Sequence, residues 1–174
     1  KLYALIKNCN LVIHEMEEEN TEMAKSCYAT AYTMRGVAYY NLMRLFCEPY
    51  NKQKAGEQLG LSIVTRFDME ARPKRSSLSE VVSLIEEDLK KGISYNSKSE
   101  IFRYTVDVAK AYLARLYFWS QNWEQAIPVA KEILEAYPLV EGTEYVDMLS
   151  AQHAQKGNIL LRSYVLSHVS GDQN

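Results

Sequence analysis

One long helical pattern that stops at a proline constrains this chain more than any other feature. Residues 21–46 place apolar and aromatic side chains at three- and four-residue steps, which is typical of a helix with a buried face. Pro49 ends the pattern, because it disfavours helical geometry at Glu48 and has no backbone N–H to donate. The predicted inward positions are Ala24, Cys27, Tyr28, Ala31, Met34, Ala38, Leu42 and Leu45.

Further helical segments are predicted at residues 2–17, 77–92, 106–120 and 123–137, with one more short helix within 139–150. The sequence "SLSE", Ser77 to Glu80, has the form of a capping box, and Gly92 is the expected end of the helix that it opens. Pro128 is expected to bend its helix or to shift its start. The sequence "NILLRSYVLSHV", residues 158–169, is rich in β-branched and aromatic residues, which favours an extended segment.

The expected fold class is all-α, because the chain has only seven Gly and four Pro and its apolar residues repeat with a helical period. Residues 106–138 predict a helix, a short turn, a second helix and a terminal proline, and so resemble a tetratricopeptide unit. Gln121 stands where the turn of such a unit usually has glycine. We therefore expect tetratricopeptide-like helical hairpins with one long loop insertion and an extended C-terminal segment.

The insertion covers residues 50–76, which are polar and show no helical period. Helices of a bundle are usually joined by about 2 to 8 residues, so a loop of this length is either functional or a sign that the elements are misassigned. The sequence "LSIVT", residues 61–65, favours one short extended piece.

Aromatic and polar residues of this loop are the candidate ligand-binding residues: Tyr50, Asn51, Arg66, Phe67 and Asp68. A flat ring beside amide, guanidinium and carboxylate groups suits a sugar, which stacks through its C–H face and forms directed hydrogen bonds through its hydroxyls. The alternative is that these side chains only pack the loop onto the bundle. The tyrosines within the helices are better explained as core residues.

Several function classes find no support in the sequence. A net charge of -2 disfavours nucleic-acid binding, and no apolar stretch is long enough to span a membrane. His14, His153 and His168 are scattered, and "HEMEE" lacks the second histidine of a metalloprotease motif, so no catalytic residue, metal or cofactor is expected. Cys9, Cys27 and Cys47 have no CxxC spacing and are expected to act as small buried hydrophobes.

Five segments in order carry a resemblance to a known family: "NCNLVIHEME", "AYTMRGVAYYNLMRLFCEPYN", "LGLSIVT", "RPKRSSLSEVVSLIEEDLKKGI" and "VAKAYLARLYFWSQNWEQAIPVAKEIL". Together they resemble the N-terminal half of the SusD-like (RagB/SusD) nutrient-binding outer-membrane lipoproteins of Bacteroidetes. Cys47 departs from the family pattern, which usually has glycine after this phenylalanine, and no lipobox precedes any cysteine. The first residues already have a helical pattern, so we expect a processed or truncated chain.

The resemblance implies a non-catalytic protein that binds a glycan or other nutrient at the outer-membrane surface and delivers it to a TonB-dependent, SusC-like transporter. It implies a surface-exposed protein held by a lipid anchor outside this chain, with residues 1–174 forming a single helical domain. The resemblance also implies that the C-terminal half of a family member, which contributes much of the ligand-binding surface, is not part of these 174 residues. The alternative is a tetratricopeptide-type scaffold that binds a protein or peptide in its concave face.

Overall fold

The computed structural model describes residues 1–16, 21–66, 68, 70, 72–97 and 104–150. Within them the order of elements is α1 (Leu2–Glu15), α2 (Glu22–Phe46), β1 (Leu59–Ser62), β2 (Arg75–Ser77), α3 (Leu78–Ser94), α4 (Val106–Trp119), α5 (Trp123–Ala136) and α6 (Gly142–Ser150). The all-α prediction is confirmed, since the only sheet in the described residues is the antiparallel pair β1–β2. The segment 158–169, predicted to be extended, lies outside the described residues.

The chain divides into two compact units, Lys1–Ala130 and Lys131–Asn174. The first unit holds the hydrophobic core, in which α2 packs against α1, α3 and α4. The largest fully buried apolar side chains come from these four helices, and they are Ile6, Tyr39, Met43, Leu78, Val81, Ile85, Leu89 and Leu116. The single-domain prediction for residues 1–174 stays a prediction.

Side-chain caps fix where two of the helices begin. The hydroxyl of Thr21 accepts the N–H of Ala24 at 3.1 Å at the start of α2. The capping box predicted for α3 is confirmed, because Ser77 Oγ accepts the N–H of Glu80 at 3.3 Å and Glu80 Oε2 accepts the N–H of Ser77 at 2.7 Å. These hydrogen bonds to the carboxylate lower the pKa of Glu80.

The backbone of the turn between α4 and α5 explains why a helical hairpin of this kind usually has glycine where this chain has Gln121. Gln121 has a φ of 58°, the left-handed conformation that glycine adopts most easily. The turn is closed by the N–H of Asn122, which donates to the carbonyl oxygen of Tyr117 at 2.8 Å. The helix that follows begins at Trp123, as predicted, and runs through Pro128, so of the two effects expected of this proline the shift of the helix start does not occur.

Glycine lets α2 and α3 approach each other closely. A Cβ added to Gly92 would lie 2.3 Å from Thr33 Oγ1 and 3.2 Å from the carbonyl oxygen of Ala29. The prediction that α3 ends at Gly92 is wrong, since the helix continues to Ser94. Glycine is therefore required at position 92 by the close contact between α2 and α3, not by the end of a helix.

A buried ion pair joins the same two helices and reaches a third. Arg35 of α2 donates to both carboxylate oxygens of Asp88 of α3, from Nε at 2.8 Å and from Nη2 at 2.7 Å. Its Nη1 donates to Asn10 Oδ1 of α1 at 2.8 Å and to the carbonyl oxygen of Thr65 at 3.4 Å. Arg35, Asp88 and Asn10, all at least 95% buried, form what we call the Arg35 cluster.

Side chains of α1 and α2 form hydrogen bonds with the backbone of the loop that follows β1. Tyr39 Oη donates to the carbonyl oxygen of Val64 at 3.2 Å and accepts the N–H of Val64 at 2.7 Å, and burial raises the pKa of Tyr39 to about 12. Asn10 Nδ2 also donates to the carbonyl oxygen of Val64, at 2.9 Å, and His14 Nε2 lies 2.8 Å from that of Thr65. The extended piece predicted at 61–65 is therefore a strand only as far as Ser62. Beyond Ser62 the backbone forms hydrogen bonds with side chains instead of with a neighbouring strand.

We expect Gly92→Ala to destabilise the protein by about 1–3 kcal/mol, because the added methyl group forces Thr33 and the facing turn of α2 to move. The free energy of unfolding in urea measures this. Gly56→Ala is the matched control, because a Cβ there meets nothing within 4 Å. Equal stability of the two variants would contradict the close approach of α2 and α3.

We expect Asp88→Asn to cost about 3–5 kcal/mol, because it leaves the guanidinium of Arg35 buried without its counter-charge. The same variant should speed tryptic cleavage at the exposed Arg66, since Arg35 no longer holds Thr65 firmly. Lys25→Gln, which breaks the surface pair with Glu22, should change stability by less than about 1 kcal/mol. A loss in Asp88→Asn no larger than in this control would show that the cluster does not hold the fold.

Candidate functional site

The last turn of α2 leaves large apolar side chains in solvent. Leu45 is 69% exposed and Phe46 is 66% exposed, and Leu59 at the start of β1 is 64% exposed. The prediction that Leu45 points inward is wrong, because the chain turns away at Cys47 and the surface beside this turn is an open groove. Exposed apolar residues that are contiguous in this way mark binding surfaces more often than isolated ones do.

The groove consists of two adjoining cavities that share Phe46 and Arg75, and we call it the α2-end groove. One cavity has a volume of about 660 Å³ and an apolar lining, which includes Leu2, Tyr3, Leu42, Leu45 and Leu61. The other has a volume of about 470 Å³, and its lining adds four polar side chains, Glu48, Lys54, Glu57 and Gln58, to Phe46 and Leu59. An apolar surface beside a few convergent polar groups is the usual composition of a small-molecule site.

A compact turn positions the polar end of the groove. Asn51 Oδ1 accepts the N–H of Gln53 at 3.0 Å, and the carbonyl oxygen of Asn51 accepts the N–H of Lys54 at 2.9 Å. The side-chain amide of Gln58 bonds back across the turn, since its Oε1 accepts the N–H of Asn51 and its Nε2 donates to the carbonyl oxygen of Pro49, both at 2.9 Å. Gln58 therefore fixes the backbone that carries Glu48 and Lys54.

Arg75 fixes the junction of the two cavities. Its Nε donates to the carbonyl oxygen of Gly60 at 2.7 Å, and its Nη2 lies 3.4 Å from that of Leu59. Gly60 allows the two strands to lie this close, because a Cβ there would be 2.5 Å from the carbonyl oxygen of Ser77. Burial raises the pKa of the neighbouring Cys47 thiol, and the charge of Arg75 opposes that shift.

The residues predicted from the sequence do not all lie at this groove. Tyr50 is half-buried against the core, and Asn51 is exposed and linked to the groove lining through Gln58. Arg66 and Asp68 are exposed further along the loop, where Asp68 Oδ1 accepts the N–H of Glu70 at 2.8 Å. Phe67 lies outside the described residues. These ligand contacts stay predictions.

Sequence reasoning missed the residues that line the groove, among them Leu45, Phe46, Glu48, Gln58 and Arg75. One signal was available: two large apolar residues in the final turn of a helix, directly before the proline that redirects the chain, have no following element to bury them. The role of Arg75 had no such signal, because a charged residue in a polar loop is normally solvated.

In the part of the chain that the structure describes, no group of three or more histidine, cysteine, aspartate or glutamate side chains is arranged to hold a metal ion. None of its helices combines the length and the apolar character required to cross a bilayer. The cysteines are all free thiols, and only Cys9 is fully buried, with burial raising its pKa to about 11.

Comparison with known proteins decides the family. A SusD-like family model, described as starch-binding and associating with the outer membrane, matches residues 1–118. The chain belongs to the SusD-like family. The resemblance read from the sequence is thereby confirmed, and the matched residues include every residue that lines the α2-end groove.

Solved structures share the fold of this SusD-like chain. A putative sugar-binding protein from Bacteroides vulgatus is 26% identical, with a TM-score of 0.68 over 77% of this chain and 31% of its own. A SusD superfamily protein from Bacteroides thetaiotaomicron is 23% identical, with a TM-score of 0.77 over 90% of this chain and 36% of its own. A laminarin-binding SusD-like protein is 19% identical, with a TM-score of 0.61 over 80% of this chain and 30% of its own.

This chain therefore spans about a third of the length of these solved relatives. No curated protein matches it.

Proposed function

We propose that this SusD-like chain binds a glycan in the α2-end groove. The observation that carries the proposal is the exposed ring of Phe46, which lies where an apolar cavity adjoins one that carries several polar side chains. A pyranose presents an apolar C–H face and an edge of hydroxyl groups, so the ring can stack on Phe46 while Glu48, Lys54 or Glu57 accepts or donates hydrogen bonds. The starch-binding description of the family and the laminarin-binding relative support this ligand class.

The proposed role is capture without cleavage. A glycosidase needs two carboxyl groups flanking the scissile bond, one of them kept protonated by an environment shielded from water. Glu48 and Glu57, the carboxylates of the groove, are both exposed to solvent. The groups of the groove therefore suit hydrogen bonding to a sugar better than acid catalysis.

The segment after the groove completes the proposed surface. Asn51 shapes the turn that carries the polar groups, and Tyr50 directly precedes it and packs against the core. Arg66, Phe67 and Asp68 follow the part of the loop that the Arg35 cluster holds. We propose these five residues as additional contacts to a glycan that extends beyond the groove. A long saccharide gains affinity from several such weak contacts.

We further propose delivery of the glycan to a TonB-dependent, SusC-like transporter. The family description places its members in association with the outer membrane, which supports a protein held at the cell surface by a lipid anchor outside this chain. Because the chain spans about a third of its relatives' length, this role belongs to the whole protein.

The groove is tested by isothermal titration of this chain with maltoheptaose and with laminariheptaose. We expect saturable binding of at least one of them, weakened about tenfold by Phe46→Ala because the stacking surface is lost. Met23→Ala is the control, because Met23 is an exposed apolar residue at the other end of α2. Failure of both sugars to bind, or equal binding by wild type and Phe46→Ala, would reject the groove as the glycan site.

The transporter is tested with the tagged full-length protein purified from native outer membranes in mild detergent. We expect a TonB-dependent transporter to copurify in comparable molar amount, because the proposed transfer requires a standing complex. An unrelated tagged lipoprotein from the same membranes is the control. A transporter enriched no more than with this control would contradict the delivery role.

A further inference from the structure

A second concave surface lies between α2 and α4, on residues that the α2-end groove does not use. It has a volume of about 420 Å³, and its lining is formed by Tyr40, Arg44, Ala114, Arg115, Phe118 and Trp119. We call it the arginine pocket. Trp119 is half-buried against the core, whereas Phe118 is 65% exposed, and its ring packs in a T-shaped arrangement against Trp123 at 5.2 Å between ring centroids.

Stacking on tyrosine positions the two arginines of this pocket. The Cζ atom of Arg44 lies 5.8 Å from the ring centroid of Tyr40, and that of Arg115 lies 5.6 Å from the same centroid. Arg115 is also 5.6 Å from the ring centroid of Tyr112, which packs edge-on against Tyr40 at 5.6 Å. Because Tyr40 is only 2% exposed, it is a fixed support that brings guanidinium groups from two helices to one place.

The charges of these arginines are not compensated within the described residues. The ion pairs found there are Lys25–Glu22, Arg35–Asp88 and Lys90–Glu86, and none includes Arg44 or Arg115. Both side chains are exposed, so their N–H donors remain available to a ligand. Two such forks beside one cavity favour an anion that accepts several hydrogen bonds, and a carboxylate matches a guanidinium fork in a bidentate arrangement.

We propose that the arginine pocket binds the carboxylate of a hexuronate unit in an acidic glycan. A uronate suits both parts of this pocket. Its carboxylate can accept hydrogen bonds from Arg44 and Arg115, and the apolar face of its sugar ring can pack on Phe118. The proposal rests on the proposed glycan-binding function and narrows its ligand to chains that carry acidic sugars. The α2-end groove then holds neutral units.

Isothermal titration of this chain with trigalacturonate and with maltotriose, which is neutral and has the same length, tests the proposal. We expect tighter binding of trigalacturonate, and an affinity at least about tenfold lower for the double variant Arg44→Gln/Arg115→Gln, because charge-assisted hydrogen bonds are lost. Phe118→Ala should also weaken binding. Arg72→Gln, which removes an exposed arginine outside the pocket, is the matched control, and unchanged melting temperatures show that the variants fold.

The outcomes separate this pocket from the groove. Loss of trigalacturonate binding in Phe46→Ala but not in the arginine double variant would place acidic sugars in the groove and overturn the pocket. Binding of neutral sugars with no preference for trigalacturonate would overturn the pocket and leave the proposed function intact. If sodium sulfate competes fully and Phe118→Ala has no effect, the pocket is an anion site without sugar recognition, which also overturns the proposal.

Discussion

The buried ion pair of Arg35 with Asp88 is the interaction on which the rest of this structure depends. Removing two charges from water costs several kcal/mol per ion, and their attraction offsets that cost only when the geometry is good and the remaining donors are bonded. Both conditions are met, since the guanidinium donates to both carboxylate oxygens and to Asn10. The ion pair therefore joins α2 to α3, and the hydrogen bond to Asn10 joins α2 to α1. In this arrangement of the three helices Tyr39 and Met43 are buried.

The Arg35 cluster also supports a surface segment, because it forms hydrogen bonds with the backbone that follows β1. Arg35 and Asn10 hold the carbonyl oxygens of Thr65 and Val64, and Tyr3 Oη donates to that of Ser62 at 2.9 Å. A strand of a two-stranded sheet has little stability of its own, so these side chains replace the further strands that would otherwise support it. They fix β1, which accepts a hydrogen bond from Arg75 at the carbonyl oxygen of Gly60. β1 also forms one side of the α2-end groove.

Local patterns predicted this fold well, and contacts between distant segments explain what they missed. Periodicity identified the helices, and "SLSE" identified the start of α3, because each signal lies within a few residues. The partner of Arg35 is 53 positions away, and an arginine in a helix normally indicates a solvated face, so the ion pair had no local signal. For the same reason Gly92 was interpreted as a helix end, although what requires it is Thr33 on another helix. The groove was missed because exposure of Phe46 depends on what the chain does after Cys47.

Two arginines of α2 lie in different environments, one suited to stabilising the core and the other to binding a ligand. Each of the three guanidinium nitrogens of Arg35 donates a hydrogen bond to Asp88 or Asn10 in the core, so this side chain is fixed and unavailable to a ligand. Arg44, nine positions further along the same helix, rests on Tyr40 and keeps its donors in solvent. Since a guanidinium keeps its charge in both places, burial and the presence of Asp88 decide the difference. A side chain already held by an aromatic ring loses little conformational entropy when it binds, so the arrangement that leaves Arg44 unpaired also prepares it for an anion.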